Sequence, residues 1–137
     1  MKDSCNRTID YIRISVTDRC NLRCLYCMPE EGVVPMRHED ILTYGEIVRI
    51  CEAGARLGIR KVKVTGGEPL VRKDIEVLIK ELTAIPGIQD VTMTTNGCLL
   101  KEKAAALKSA GLSSVNVSLD TLDPVRFAKI TRRDSFE

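Results

Sequence analysis

A chain of 137 residues, 44% apolar and 29% charged, is long enough to bury one core and is not a disordered tail. Its 21 basic and 19 acidic residues leave a net charge of +2, too small to argue by itself for a nucleic-acid or membrane partner, and no basic tract concentrates it. No apolar run approaches the ~20 residues that cross a bilayer, and the polar start Met1-Lys2-Asp3-Ser4-Cys5-Asn6-Arg7 leads into no export segment. A reducing, cytoplasmic compartment is therefore expected, where six cysteines read as metal ligands, reactive groups or small buried side chains rather than disulfides.

Taken in chain order, Tyr11-Ile12-Arg13-Ile14-Ser15-Val16 alternates apolar and polar side chains and predicts a strand running into the first cysteines. Thr43-Tyr44-Gly45-Glu46 has the form of a capping box; Ile47, Ile50, Cys51 and Gly54 continue it at helical spacing to a natural stop at Gly58. Lys61-Val62-Lys63-Val64 alternates as a second strand and breaks at Thr65-Gly66-Gly67-Glu68-Pro69, where paired glycines mark a turn. Ile75, Leu78, Ile79 and Leu82 predict a second helix closed by Pro86-Gly87. A third strand spans Val91 to Thr95 and stops at Asn96-Gly97, and the lysine- and alanine-rich stretch from Leu99 to Ala110 follows as a helix. Val115, Val117 and Leu119 alternate with Asn116 and Ser118 as a fourth strand. Asp123-Pro124 supplies the cap and first-turn proline of a fourth helix, with Phe127 and Ile130 on its buried side. Strands alternating with helices predict an α/β fold of parallel strands joined by right-handed crossovers.

Cys20 to Cys27, Thr65 to Pro69, Thr94 to Gly97 and Ser118 to Asp120 all fall at carboxyl ends of these strands and so converge on one rim. Alone, each is an ordinary turn. Together they mark the place where parallel α/β folds bind ligands, whether the sheet is open or closed as a barrel. Cys20, Cys24 and Cys27 lie close enough to serve one compact metal centre, and thiolates select zinc, copper(I) or iron–sulfur clusters. Arg19 and Arg23 flank them and are expected to lower the thiol pKa. Three thiols are an incomplete set for structural zinc, which wants four ligands. The only histidine, His38, would complete that set, although Arg37-His38-Glu39-Asp40 also reads as solvated surface. A four-iron cube held by three cysteines instead leaves one iron open to a non-protein ligand. Cys51 reads as a packing residue of the first helix, and Cys5 and Cys98 as packing or incidental thiols.

The Cys-x3-Cys-x2-Cys spacing of Cys20, Cys24 and Cys27 resembles the signature of the radical S-adenosylmethionine (SAM) superfamily. The segments Asp18 to Pro29, Thr65 to Leu70, Thr94 to Gly97, Asn116 to Asp120 and Ile130 to Arg133 are similar, in order, to the GTP 3',8-cyclases of molybdenum cofactor biosynthesis. The resemblance implies a parallel-sheet partial (β/α) barrel, with about four strand–helix units in residues 1–137. It also implies a [4Fe-4S] cluster on Cys20, Cys24 and Cys27 whose open iron binds SAM. Matched positions put Tyr26, Gly67 and Ser118 against SAM, with Glu68 near its ammonium, and Arg13, Lys63 and Thr94 against GTP. Lys61, on the same strand face as Lys63, adds charge toward the phosphates. The family commonly has arginine where this chain has Lys63, so a point charge replaces a bidentate fork.

The implied activity is that of a lyase: a radical made from SAM takes hydrogen from the ribose C3' of GTP and yields (8S)-3',8-cyclo-7,8-dihydroguanosine 5'-triphosphate. An electron donor such as a flavodoxin or ferredoxin would serve it in the cytoplasm. Family members are longer and carry three more cysteines for a second cluster, so the expectation is an amino-terminal part of the core domain. Its unpaired fourth strand is an expected site of association, a second copy of the chain included. The competing readings are a non-catalytic zinc- or cluster-binding module, a different radical SAM enzyme, and a thiol redox protein.

Overall fold

The computed structural model describes residues 2–136; the side chain of His38 is outside this description, and with it the zinc site that residue would complete. Four strands, β1 (Tyr11–Ser15), β2 (Lys61–Thr65), β3 (Asp90–Thr95) and β4 (Ser114–Val117), alternate with four helices, α1 (Tyr44–Arg56), α2 (Ile75–Thr83), α3 (Leu100–Ser109) and α4 (Pro124–Thr131). Short 3-10 turns occupy His38–Asp40 and Pro69–Val71. The strands form one parallel sheet in the order β1-β2-β3-β4. Because that order follows the chain, every crossover steps the same way and nowhere reverses. This is the winding of a barrel wall, not of a doubly wound sheet with a switch point.

Register converts the sequence alternation into two unlike faces. Ile12 pairs with Val62 and Val62 with Val91, while Ile14, Val64, Met93 and Val115 make the next apolar row. Against this face pack Ile47 and Cys51 of α1, Ile75, Leu78, Ile79 and Leu82 of α2, and Leu107 of α3, all buried. The opposite face carries Arg13, Lys63, Thr92 and Ser114 in one row and Thr94 beside Asn116 in another. Parallel sheets are ordinarily apolar on both faces, so a polar second face marks the inner wall of a barrel.

Local chemistry explains the helix ends. The Thr43 side chain accepts from the Glu46 backbone N–H, while the Glu46 carboxylate accepts from Thr43 N–H at 2.7 Å, completing the capping box of α1. The Asp123 side chain accepts from Arg126 N–H at 3.0 Å, and Pro124 fills the first turn of α4. The placement of α4 differs from the sequence expectation. Phe127 is buried and Ile130 only half-buried, and the carboxyl end of the helix is turned to the cysteine segment, where it accepts hydrogen bonds. Val117 stays 50% exposed and Leu119 47% exposed on the outer side of the sheet edge. No helix among the described residues is long and apolar enough to cross a membrane.

Candidate functional site

The chain leaving β1 and the turn leaving β2 run side by side past the ends of the strands. Val16 N–H donates to the Thr65 carbonyl at 2.8 Å, Gly67 N–H to Thr17 at 2.7 Å and Glu68 N–H to Arg19 at 2.8 Å. This explains the paired glycines: a Cβ on Gly67 would stand 2.3 Å from the Arg19 carbonyl oxygen, and one on Gly66 would stand 2.7 Å from that of Thr17. The backbone entering the cysteine segment therefore by itself requires a residue without a side chain at Gly67.

Glu68 is 1% exposed and ties the turn to β3. Its Oε1 accepts from Leu70 N–H at 3.0 Å and from the Thr95 hydroxyl at 2.7 Å, and its Oε2 from Asn96 N–H at 2.7 Å. Three donors satisfy the desolvated carboxylate, as burial requires.

The cysteine segment is itself ordered by Arg23, whose guanidinium donates to the carbonyls of Cys20 and Leu22 at 2.7 Å each. On the far side, Arg23 N–H donates to the Thr131 carbonyl and Leu25 N–H to that of Ile130, both at 2.9 Å. Arg132 adds a bond to the Met28 carbonyl at 3.2 Å. The last carbonyls of α4, which a helix cannot satisfy internally, are thus met by the amides that present the thiols. The Tyr26 hydroxyl donates to Asp120 Oδ2 at 2.7 Å, which holds the phenol protonated well above its usual range.

Burial pushes the Cys24 thiol above its ordinary value, partly offset by the nearby Tyr26 hydroxyl; Cys27 and Cys20 nearby add to the rise. The shift at Cys24 is thus opposite in direction to the lowering expected from the flanking arginines, with burial its largest cause. Burial also raises the Cys98 thiol, which lies beside this site and not away from it.

A cavity of about 200 Å³ opens at this rim. Cys20, Cys24 and Cys27 line it, as do Tyr26, Gly67, Glu68, Ser118 and Thr94, so every residue expected at the cluster and SAM, and one of those expected at GTP, shares one wall. Arg13, Lys61 and Lys63 do not. Arg13 and Lys63 are neighbours in mid-strand on the polar face, and Lys61 begins its strand. Lys63 Nζ donates to Asn116 Oδ1 at 3.0 Å, and Asn116 lies beside Thr94, which bridges the cations to the cavity. Asn96, Asp120 and Thr131 line the cavity and were missed as individual site residues. Position in a rim segment could have marked Asn96 and Asp120, whereas Thr131 lies outside those segments.

The thiols suit a cluster better than a lone ion. All six cysteines are free. Among the described residues no three Cys, His, Asp or Glu side chains gather closely enough to hold one ion. Sulfurs bound to a single zinc stand about 3.8 Å apart, as ~2.3 Å bonds in a tetrahedron require. A cube spreads the same three ligands over separate irons.

A sheet wound in one direction, polar within, with a thiol-lined cavity at its carboxyl rim, defines a partial (β/α) barrel built for a metal cofactor. The Radical SAM superfamily model matches residues 14–137. The chain belongs to the radical SAM superfamily, whose members use a [4Fe-4S] cluster and SAM. It is 59% identical over 136 residues to the GTP 3',8-cyclase of Petrotoga mobilis, covering 99% of this chain and 42% of that protein. It is 57% identical over 132 residues to the one of Alkaliphilus metalliredigens, covering 96% of this chain and 41% of that protein. The chain therefore spans about two fifths of the length of these curated relatives. Among solved structures, BtrN in complex with AdoMet and 2-DOIA superposes with a TM-score of 0.60 at 21% identity, over 81% of this chain and 46% of BtrN, which bears on the fold alone.

Proposed function

We propose that this chain is the amino-terminal part of a GTP 3',8-cyclase, a lyase of molybdenum cofactor biosynthesis working in the cytoplasm. Cys20, Cys24 and Cys27 hold the cluster, Tyr26, Gly67, Glu68 and Ser118 bind SAM, and Arg13, Lys61, Lys63 and Thr94 receive GTP. The observation that carries this reading is the single cavity shared by the three thiols and all four SAM residues.

The bound cluster, reduced by a donor such as a flavodoxin or ferredoxin, and SAM supply a radical able to take hydrogen from the substrate ribose. The chain's own residues position the reactants and shield them. Glu68 Oε2 accepts one protein hydrogen bond, which leaves it capacity for an ammonium at the cavity wall. Phe127 and Thr131 close the side beneath α4 and keep water from the reacting centre. Among the described residues none of Arg13, Lys61 and Lys63 is in an ion pair, so their charge is available to phosphates.

Anaerobic reconstitution with iron and sulfide tests the reading. A brown chain with about four irons, whose reduced EPR signal changes on adding SAM and which Cys24→Ala abolishes, is expected. Stoichiometric zinc that resists exchange, or a signal indifferent to SAM, would overturn it. GTP binding by the loaded chain should weaken about tenfold in Lys63→Ala, the loss of one charge-assisted contact.

A further inference from the structure

We propose that Asn96 is a positioning residue that raises the reduction potential of the cluster by hydrogen-bonding the sulfur of Cys20, an inference that rests on Cys20, Cys24 and Cys27 being its ligands. Asn96 follows directly on β3 and is held from several sides. Its backbone N–H donates to Glu68 Oε2 at 2.7 Å, and its Oδ1 accepts from Cys98 N–H at 3.0 Å. Its Nδ2 donates to Asn21 Oδ1 at 2.8 Å and lies 3.8 Å from Cys20 Sγ, within reach of an N–H···S bond.

The direction of the amide follows from the partners. A backbone N–H can only donate, so Cys98 fixes the oxygen, and both hydrogens of Nδ2 are turned to Asn21 and Cys20. Leu22 N–H stands 3.4 Å from the same sulfur. Cys20 therefore meets two N–H dipoles from different segments, of which only that of Asn96 belongs to a side chain and is adjustable by substitution.

Reduction delivers one electron to the cluster, makes and breaks no bond at Cys20, and leaves more negative charge on the ligating sulfurs. An N–H aimed at such a sulfur stabilises the reduced form more than the oxidised one and so raises the potential. Because Glu68 and the turn already hold Asn96 in place, the donor needs no reorganisation when the charge arrives.

The test is an EPR-monitored redox titration of the reconstituted chain, carried out on the parent, Asn96→Ser and Asn96→Asp. Serine can keep the turn by accepting from Cys98 N–H but is too short to reach Cys20, and it adds no charge. The expected result is a lower midpoint potential in both variants with iron content unchanged. A serine variant that titrates with the parent overturns the proposal, and so does a fall seen only with aspartate, since added charge alone would then account for it. If the serine variant takes up no iron, the iron–thiolate stretching bands of Asn96→Asp decide: a shift to higher frequency supports the lost hydrogen bond, and unmoved bands refute it. A parent chain that forms no cluster defeats the functional reading itself, whereas a loaded parent with unresponsive variants defeats only the role of Asn96.

Discussion

At Gly67 a single methyl group would meet a carbonyl oxygen at 2.3 Å, and the backbone it would displace leads straight to Cys20. Gly67→Ala is therefore expected to lower stability by about 2 kcal/mol, the scale of an overpacked site, and to reduce iron uptake on reconstitution. Gly45→Ala is the contrast. Nothing lies within 4 Å of a Cβ there, and alanine is the better helix former, so urea unfolding should show a gain of about 0.5 kcal/mol. Sequence alone revealed that Gly66-Gly67 makes a turn, but its steric partner, Arg19, is remote in the chain, and no local rule names it. Cys51 was legible as a packing residue, and its burial has a further consequence: the thiol is pushed up to about 11 from 9.0. A thiol whose folded pKa exceeds its unfolded value gives stability that is complete below about pH 9 and is lost as pH rises toward 11. Unfolding measured across that window should show a smaller decline for Cys51→Ala than for the parent.

Among the elements, α4 shows how far local rules reach. Asp123-Pro124 announces its start, and the cap forms as the residue types require. Its seat could not be read from the pattern, because what α4 docks on is a segment about a hundred residues away that has no periodicity of its own. The capping box of α1 and the apolar stripe of α2 were legible for the opposite reason: their partners are regular elements. Since the carbonyls of Ile130 and Thr131 hold Leu25 and Arg23, loosening α4 should loosen the thiol segment. Asp123→Ala removes the cap bond to Arg126 and should cost about 1 kcal/mol. Hydrogen exchange should then find the Arg23 and Leu25 amides several-fold less protected, with β2 and β3 unchanged. Equal protection in parent and variant would mean that α4 does not restrain the thiols.

For the molecule as a whole, alternation in four short strands told both faces of the sheet, because a period of two assigns each side chain to one side or the other. The direct order β1-β2-β3-β4 needed the three-dimensional pairing, since strand–helix repeats suit an open or a closed sheet equally. That order leaves β4 with one unpaired edge, and near it Val117, Leu119, Leu122 and Val125 are exposed, Leu122 to 81%. Unpaired N–H and C=O groups beside exposed apolar side chains form a template for another strand, and the edge carries no charge of its own within Ser114–Val117 to discourage it. The 137-residue chain should therefore associate with itself as concentration rises, which sedimentation velocity would register as an increasing weight-average coefficient. Val117→Lys places a charge on the outer side of that edge without touching the polar face or the thiol-lined cavity, and should return the chain to a monomer with its iron uptake intact. A parent chain that sediments as a monomer at every concentration, or a lysine variant that associates as strongly as the parent, would show that this edge is not where copies meet.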